Sequence, residues 1–341
     1  MAVFRLARGR SATSDSSGWG LDFSEASDVC CGRSLTGGTR VTLFRALRRV
    51  ADSVGVAASV LAFGLAGLVA VSPAAAAASQ PSCTYTAQSG AQYHTLQSGR
   101  AIGMALPGTG TGYWIATDTG PTYTCNMATT WGSLLAPPSP VVAVASPPGG
   151  GLLLATAAGG VYAFGGATGH GSIPAGTTIA KPIVGMAVDP ATGGYWLVSA
   201  DGGVFSFDAP FLGSMGGHKL DAPVVGISST PDSGGYRMVA ADGGVFDFGN
   251  ATFNGSAANM GLAKPIVGTA VDPATGGYWL VGADGGVFSF DAPFLGSMGG
   301  QKLDAPIVGI SSTPDGGGYR LAAADGGVFD FGNAAFEGSA A

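Results

Sequence analysis

A seventeen-residue string, DGGVFSFDAPFLGSMGG, stands at residues 201–217 and again, unchanged, at 284–300. Aligned on a recurring proline, the units begin at Pro140, Pro182, Pro223, Pro265 and Pro306, a period of 41–42 residues. A looser unit comes before them, AIGMALPGTGTGYWIATDTG from Ala101, with WGS at 131–133 where the others carry FLGS or FNGS. The repeats therefore divide as about 98–139, 140–181, 182–222, 223–264, 265–305 and 306–341. The last pair copies the previous pair at an offset of 83, with nine differences over 77 positions. A chain built this way stacks one supersecondary unit many times, and each unit buries its apolar faces on its neighbours.

Within a unit, PIVGMAV, GYWLVSA, GVFSF and APFLGS read as four short strands. They are rich in β-branched and aromatic residues and bounded by Gly, Pro and Asp. The ADGG between the second and third suits a type I′ hairpin, whose central positions both need φ > 0. No helical period follows residue 80. Four strands in about 42 residues predict an all-β β-propeller of about six four-stranded blades. The small residues of VGMA and VGIS suit an innermost strand at a crowded axis. Five or seven blades also fit, because residues 81–97 can add a strand and the last unit stops at FEGSAA. A β-solenoid is the rival, but its coils are shorter and lack alternating hairpins.

GGYWLVSADGGVFSFDAPFLGS resembles the GYWLVASDGGVFSFGDAxFYGS repeats of secreted actinobacterial proteins, a WD40- or kelch-like propeller family. The resemblance is close over residues 140–341 and loose over 98–139. It implies a propeller and an extracellular setting. Such repeats often accompany cell-wall hydrolase or peptidase domains, and no motif of one is found beside these.

The amino-terminal residues read as an address. Arg45, Arg48 and Arg49 precede an apolar run at 53–71, followed by small residues around 76–78: a signal peptide over 41–78. An uncleaved membrane anchor is the alternative. Residues 1–40 carry no periodicity, and translation starting at Val41 would leave them, with Cys30 and Cys31, unmade. After cleavage Cys83 and Cys125 are the one cysteine pair, expected as a disulfide in an exported chain. The segment 79–97 then leads into the repeats. From Ser79 onward seven Lys and Arg face sixteen Asp and Glu. Such an acidic surface gives no footprint for nucleic acid or anionic membrane. A monomer is expected.

Residues that recur in every unit belong to the scaffold, so chemistry is sought where units differ. Asp201, Asp242, Asp284 and Asp325 recur in the ADGG turns and read as turn residues. TPDGGG around Asp315 matches part of an Asp-box and reads as a turn too. His94, His170 and His218 have no repeated histidine counterpart. No HExxH, CxxC, GxSxG or phosphate loop occurs, and no cofactor or metal set is indicated. At the centre of the second strand the units run Trp114, Leu153, Trp196, Arg237, Trp279, Arg320. One reading is packing, Trp of one blade against Arg of the next. The other is a rim of aromatic and guanidinium groups for an acidic glycan or peptidoglycan fragment. The expectation is an exported non-catalytic binding or structural module, with a cell-wall glycan or an extracellular protein as partner. A propeller hydrolase or lyase with acids at the channel mouth, and a protein-docking platform, are the alternatives.

Overall fold

A computed structural model describes residues 82–108, 111–126 and 128–341. The expected Val41 start, the signal segment 41–78, Cys30 and Cys31 lie outside them. The alternation of apolar residues resolves into twenty strands, with no helix among the described residues. Each unit contributes one antiparallel sheet in which a first strand pairs with a second and the second with a third. The first sheet holds Ala101–Ala105, Tyr113–Thr117 and Thr122–Cys125, and the second Val141–Ala145, Leu152–Thr156 and Val161–Phe164. The third holds Ile183–Val188, Tyr195–Ser199 and Val204–Phe207; the fourth Val224–Ser229, Gly235–Ala240 and Val245–Gly249. The fifth holds Ile266–Val271, Tyr278–Gly282 and Val287–Phe290; the sixth Ile307–Ser312, Gly318–Ala323 and Val328–Gly332. Every second strand is buried along its whole length, covered on both faces.

The core lies between sheets rather than inside any one. Leu153 of the second sheet packs with Tyr195 and Leu197 of the third, and Trp279 and Val281 of the fifth with Tyr319 and Leu321 of the sixth. Tyr113 and Ile115 of the first pack with Ala322 and Val328 of the sixth. First strands touch in the order one to six and back to one. A single hydrogen bond repeats at each of these junctions. The amides of Val141, Ile183, Val224, Ile266 and Ile307 donate to the preceding sheet's hairpin at 2.9–3.0 Å, and Ala101 donates to Ala324 at 2.9 Å. Small residues permit this approach. A Cβ built on Gly309 would stand 3.4 Å from the Cα of Gly103, and one on Gly185 3.4 Å from the Cα of Gly226.

Two expectations need correction. The fourth strand does not form: five sheets have three strands, and APFLGS runs outside the ladder. Pro210 and Pro293 lack the donor a strand requires. Asp208 and Asp291 carry φ of 49° and 52°, and Gly213 and Gly296 φ of 134° and 135°, which break the extended run. Carbonyls of the segment are taken by side chains instead, as described below. The ADGG hairpin is not type I′ either. Gly202 donates to the Ser199 carbonyl at 2.8 Å and Ser199 to Gly203 at 2.9 Å, and only the glycine, at φ 80°, is left-handed. That is a type I turn closed by a glycine bulge. Its aspartate caps the turn: Asp242, Asp284 and Asp325 each accept from the amide two residues on, at 3.0–3.1 Å.

The first sheet has five strands. Cys83–Thr86 adds to its outer edge, followed by Gln92–Tyr93. Cys83 stands directly opposite Cys125 and the two form a disulfide. Ser82 also bridges Ser339, and the amides of Cys83 and Leu96 donate to Ser339 and Ala340. The carboxyl-terminal residues are thus held by the same segment that the disulfide pins.

Candidate functional site

The alternation of Trp and Arg at the second strand has one physical purpose: a buried N–H donor. The indole Nε1 of Trp114, Trp196 and Trp279 donates to the carbonyls of Thr129, Pro210 and Pro293, each at 2.8 Å. Arg237 and Arg320 donate from Nη2 to Thr252 and Ala335 at 3.4 and 2.9 Å, the corresponding places of their own units. These bonds hold the fourth segment that no ladder holds. Leu153 has no such donor. All six side chains are buried. The sequence expectation paired Trp with Arg across blades; the partner is instead the tyrosine that opens the next second strand. Trp196 lies on Tyr236 at 5.1 Å and Trp279 on Tyr319 at 5.2 Å. The Arg237 guanidinium lies over Tyr278 at 4.2 Å and that of Arg320 over Tyr113 at 5.3 Å.

Both guanidinium charges are matched inside the protein. Arg237 pairs with Asp247 at 3.2 Å and Arg320 with Asp330 at 3.0 Å. Burial pushes both carboxyls above their ordinary range against the pull of the arginines, Asp330 to about 6, with the Glu337 carboxylate adding to the rise. An acidic ligand therefore finds no free cation at these positions.

The same tyrosines carry a repeated tie that the sequence reading did not reach. Tyr195, Tyr236, Tyr278 and Tyr319 donate to the glycine carbonyls of the preceding fourth segments, Gly171, Gly213, Gly255 and Gly296, at 2.5–2.6 Å. Tyr113 donates to Gly338 in the same way. Burial raises the pKa of all five, so they remain donors across the ordinary pH range. The glycine cannot be replaced cheaply: a Cβ on Gly213 would stand 2.5 Å from the Phe248 ring. The Gly-Tyr-Trp and Gly-Tyr-Arg strings were the visible signal, and Leu152 at the second sheet marks where the tie is absent.

The residue just before that glycine faces the junction and takes five identities over the six units: Trp131, His170, Leu212, Asn254, Leu295, Glu337. Leu212 and Leu295 pack into the core. Trp131, His170 and Asn254 line open clefts at three equivalent places, each walled by the loops joining first to second strands in two neighbouring sheets. The cleft between the first and second sheets, about 420 Å³, is lined by Trp114, Thr129 and Trp131 between Pro107 and Pro148. The Trp131 Nε1 is buried with no hydrogen-bond partner. Between the second and third sheets a cleft of about 260 Å³ contains His170. Between the fourth and fifth, about 360 Å³ is lined by Asp232, Asn250, Asn254, Thr275 and Asp291, with Arg237 among them. Asp232 is held below the usual carboxylate range by Thr230, the Gly234 amide and Asn250.

On this loop rim, first-strand residues Ser228, Thr269 and Ser311 line a further opening of about 320 Å³, which shares Pro231 and Pro273 with the fourth–fifth cleft. Phe211, Phe253 and Phe294 stand 60–62% exposed at equivalent places, and Phe336 is exposed as well. Phe253 lies between Thr252 and Asn254, both of which line a cleft. His94 sits beside Ser82, Thr84 and the Cys83 carbonyl at 3.3 Å, and His218 lines a depression on the opposite, hairpin rim. Asp315 caps its own loop, accepting from Thr313, Gly317 and Asn333. No family model and no curated protein matches the chain.

Proposed function

We propose that the six sheets are the blades of a closed β-propeller, and that the protein is an exported, non-catalytic module binding neutral polyhydroxylated ligands, cell-wall glycan among them, on its loop rim. Closure is supported by the hydrogen bond from Ala101 to Ala324, which repeats between the last and first sheets the contact found at the other five junctions. Export is supported by the Cys83–Cys125 disulfide, a bond that persists in oxidising compartments.

The observation that carries the binding reading is the first–second cleft. An indole, two threonines and a pair of prolines meet there, Trp131 with Thr111, Thr129, Pro107 and Pro148. Sugars take that combination, with C–H faces on apolar surface and hydroxyls on a few polar side chains. Neutral ligands are favoured because the carboxylates of Asp232 and Asp291 stand on the rim while both buried arginines are already paired.

Trp131 is partly exposed, whereas Trp114, Trp196 and Trp279 are buried. Titrating residues 79–341 with chitotetraose and cellotetraose should therefore change tryptophan emission through Trp131. Trp131→Ala, which removes the ring, should weaken binding about tenfold. Emission unchanged at millimolar ligand, together with no heat of binding, would remove the glycan reading.

A further inference from the structure

The cleft between the second and third sheets contains a chemical group found at no other described junction. His170 Nδ1 lies 2.7 Å from Asp208 Oδ2. The imidazole is 14% exposed and the carboxylate 72%. The residue is held at three points. Its edge meets Tyr195 at 5.8 Å, its own backbone amide donates to the Tyr195 hydroxyl at 3.0 Å, and Asp208 holds Nδ1. The remaining ring nitrogen, Nε2, faces the opposite wall, where a Cβ built on Gly193 would stand 4.0 Å away.

The chemistry follows from the partner. An ionised carboxylate only accepts, so the proton of the neutral ring sits on Nδ1 and Nε2 presents a lone pair. An oriented acceptor of that kind recognises a donor. His170 is the one ionisable residue lining the cleft, and Asp208 is its partner. The cleft's other walls are Pro147, Pro148 and Pro190, backbone around the glycines, and the hydroxyls of Thr168 and Thr192. At the equivalent places of the fourth–fifth cleft stand Asn254 and Asp291, which make no hydrogen bond with each other. At the sixth–first junction the equivalent residues, Glu337 and Asn126, do hydrogen-bond, so what sets the second–third junction apart is the imidazole.

We infer that His170, positioned by Asp208, is a recognition group that accepts a hydrogen bond from a hydroxyl of a neutral saccharide lying on the proline shelf of the second–third cleft. This rests on the loop rim being a glycan-binding surface, and it adds a subsite separate from Trp131. His170 touches the ligand; Asp208 acts through it by selecting the tautomer.

The test uses residues 79–341 with chitotetraose and cellotetraose as probes. Long-range ¹H–¹⁵N spectra of the wild type should show His170 Nδ1 protonated and Nε2 bare, with Nε2 moving on saturation while Nδ1 holds. His170→Gln should weaken binding about tenfold, and Asp208→Ala should mix the tautomers and weaken it less. Binding seen at Trp131, with Nε2 unmoved and His170→Gln as tight as wild type, would overturn the inference and leave the rim reading standing. A response at neither Trp131 nor Nε2 would overturn both. Should His170→Gln fail to fold, the wild-type Nε2 response decides alone.

Discussion

The junction between the fourth and fifth sheets and the one between the sixth and the first are built from nearly the same parts. Each has a buried arginine–aspartate pair, Arg237–Asp247 or Arg320–Asp330. Each has that arginine over a tyrosine which donates to a glycine carbonyl, Tyr278 to Gly255 or Tyr113 to Gly338. They part first at the residue before that glycine. Asn254 lines an open cleft, whereas Glu337 is buried and accepts a hydrogen bond from Asn126 of the first sheet. The sixth–first junction also carries the disulfide and the pairing of Ser82 with Ser339. One position beside the glycine therefore serves two ends. It fastens the sixth sheet to the first through Glu337, and through Asn254 it lines an open cleft where continuous chain already supplies the connection.

The largest difference expected between the junctions is covalent. Cys125→Ser should remove about 4 kcal/mol of stability, the loop-closure entropy for a 42-residue separation. That corresponds to a melting temperature lower by on the order of 10 °C under oxidising conditions. Calorimetry of the oxidised protein reads this directly, and an unchanged transition would mean that the sixth–first junction needs no staple.

A smaller effect is electrostatic. Asp330 titrates near 6 in the folded protein against an ordinary carboxylate value of 3.8. Between those values the folded state binds the extra proton, so its contribution to stability is full below about 4 and is lost as the pH rises to about 6. The slope from this one group is at most about 1.4 kcal/mol per pH unit. Glu337→Gln keeps an acceptor for Asn126 and removes the neighbouring charge. The urea midpoint should then fall less between pH 4 and 6, and the variant should be the more stable at pH 7. Asp201 and Asp315 work in the opposite sense: their hydrogen bonds hold them low, and that support is lost as the pH drops below the usual carboxylate range. Identical pH profiles for wild type and Glu337→Gln would show that Glu337 does not act on Asp330.

The three-stranded part of every sheet is legible in the sequence because alternation and turn residues are local signals. VGMA and VGIS mark the close approach of first strands for the same reason, since only small residues fit there. The fourth segment misleads because its composition is strand-like while its carbonyls are claimed by Trp196, Tyr236 and their counterparts from other strands. The outer strand at Cys83 belongs to no repeat, so periodicity is silent about it; the cysteine pairing was the available clue. The Trp and Arg positions stand out as a series, yet a series does not say which way a side chain points, and all of them point inward. His170 stands out as a break in the repeat. Asp208, its partner, looks like ordinary repeat because Asp291 copies it, and it lies in the next unit, 38 residues beyond the histidine. Asn254 and Glu337 are one of the nine differences between the duplicated halves, and nothing local says which of the nine faces a cleft.

If the repeated strings are scaffold and recognition lies where junctions differ, ligand should be felt on one rim only. Amide spectra of residues 79–341, recorded with and without saturating chitotetraose, test this most directly. The account predicts shifts gathered around Thr129, Trp131, His170, Asn254 and Asp291, with the hairpin turns at Asp201, Asp242, Asp284 and Asp325 unmoved. Shifts concentrated at those hairpins, or along the repeated second strands, would contradict it.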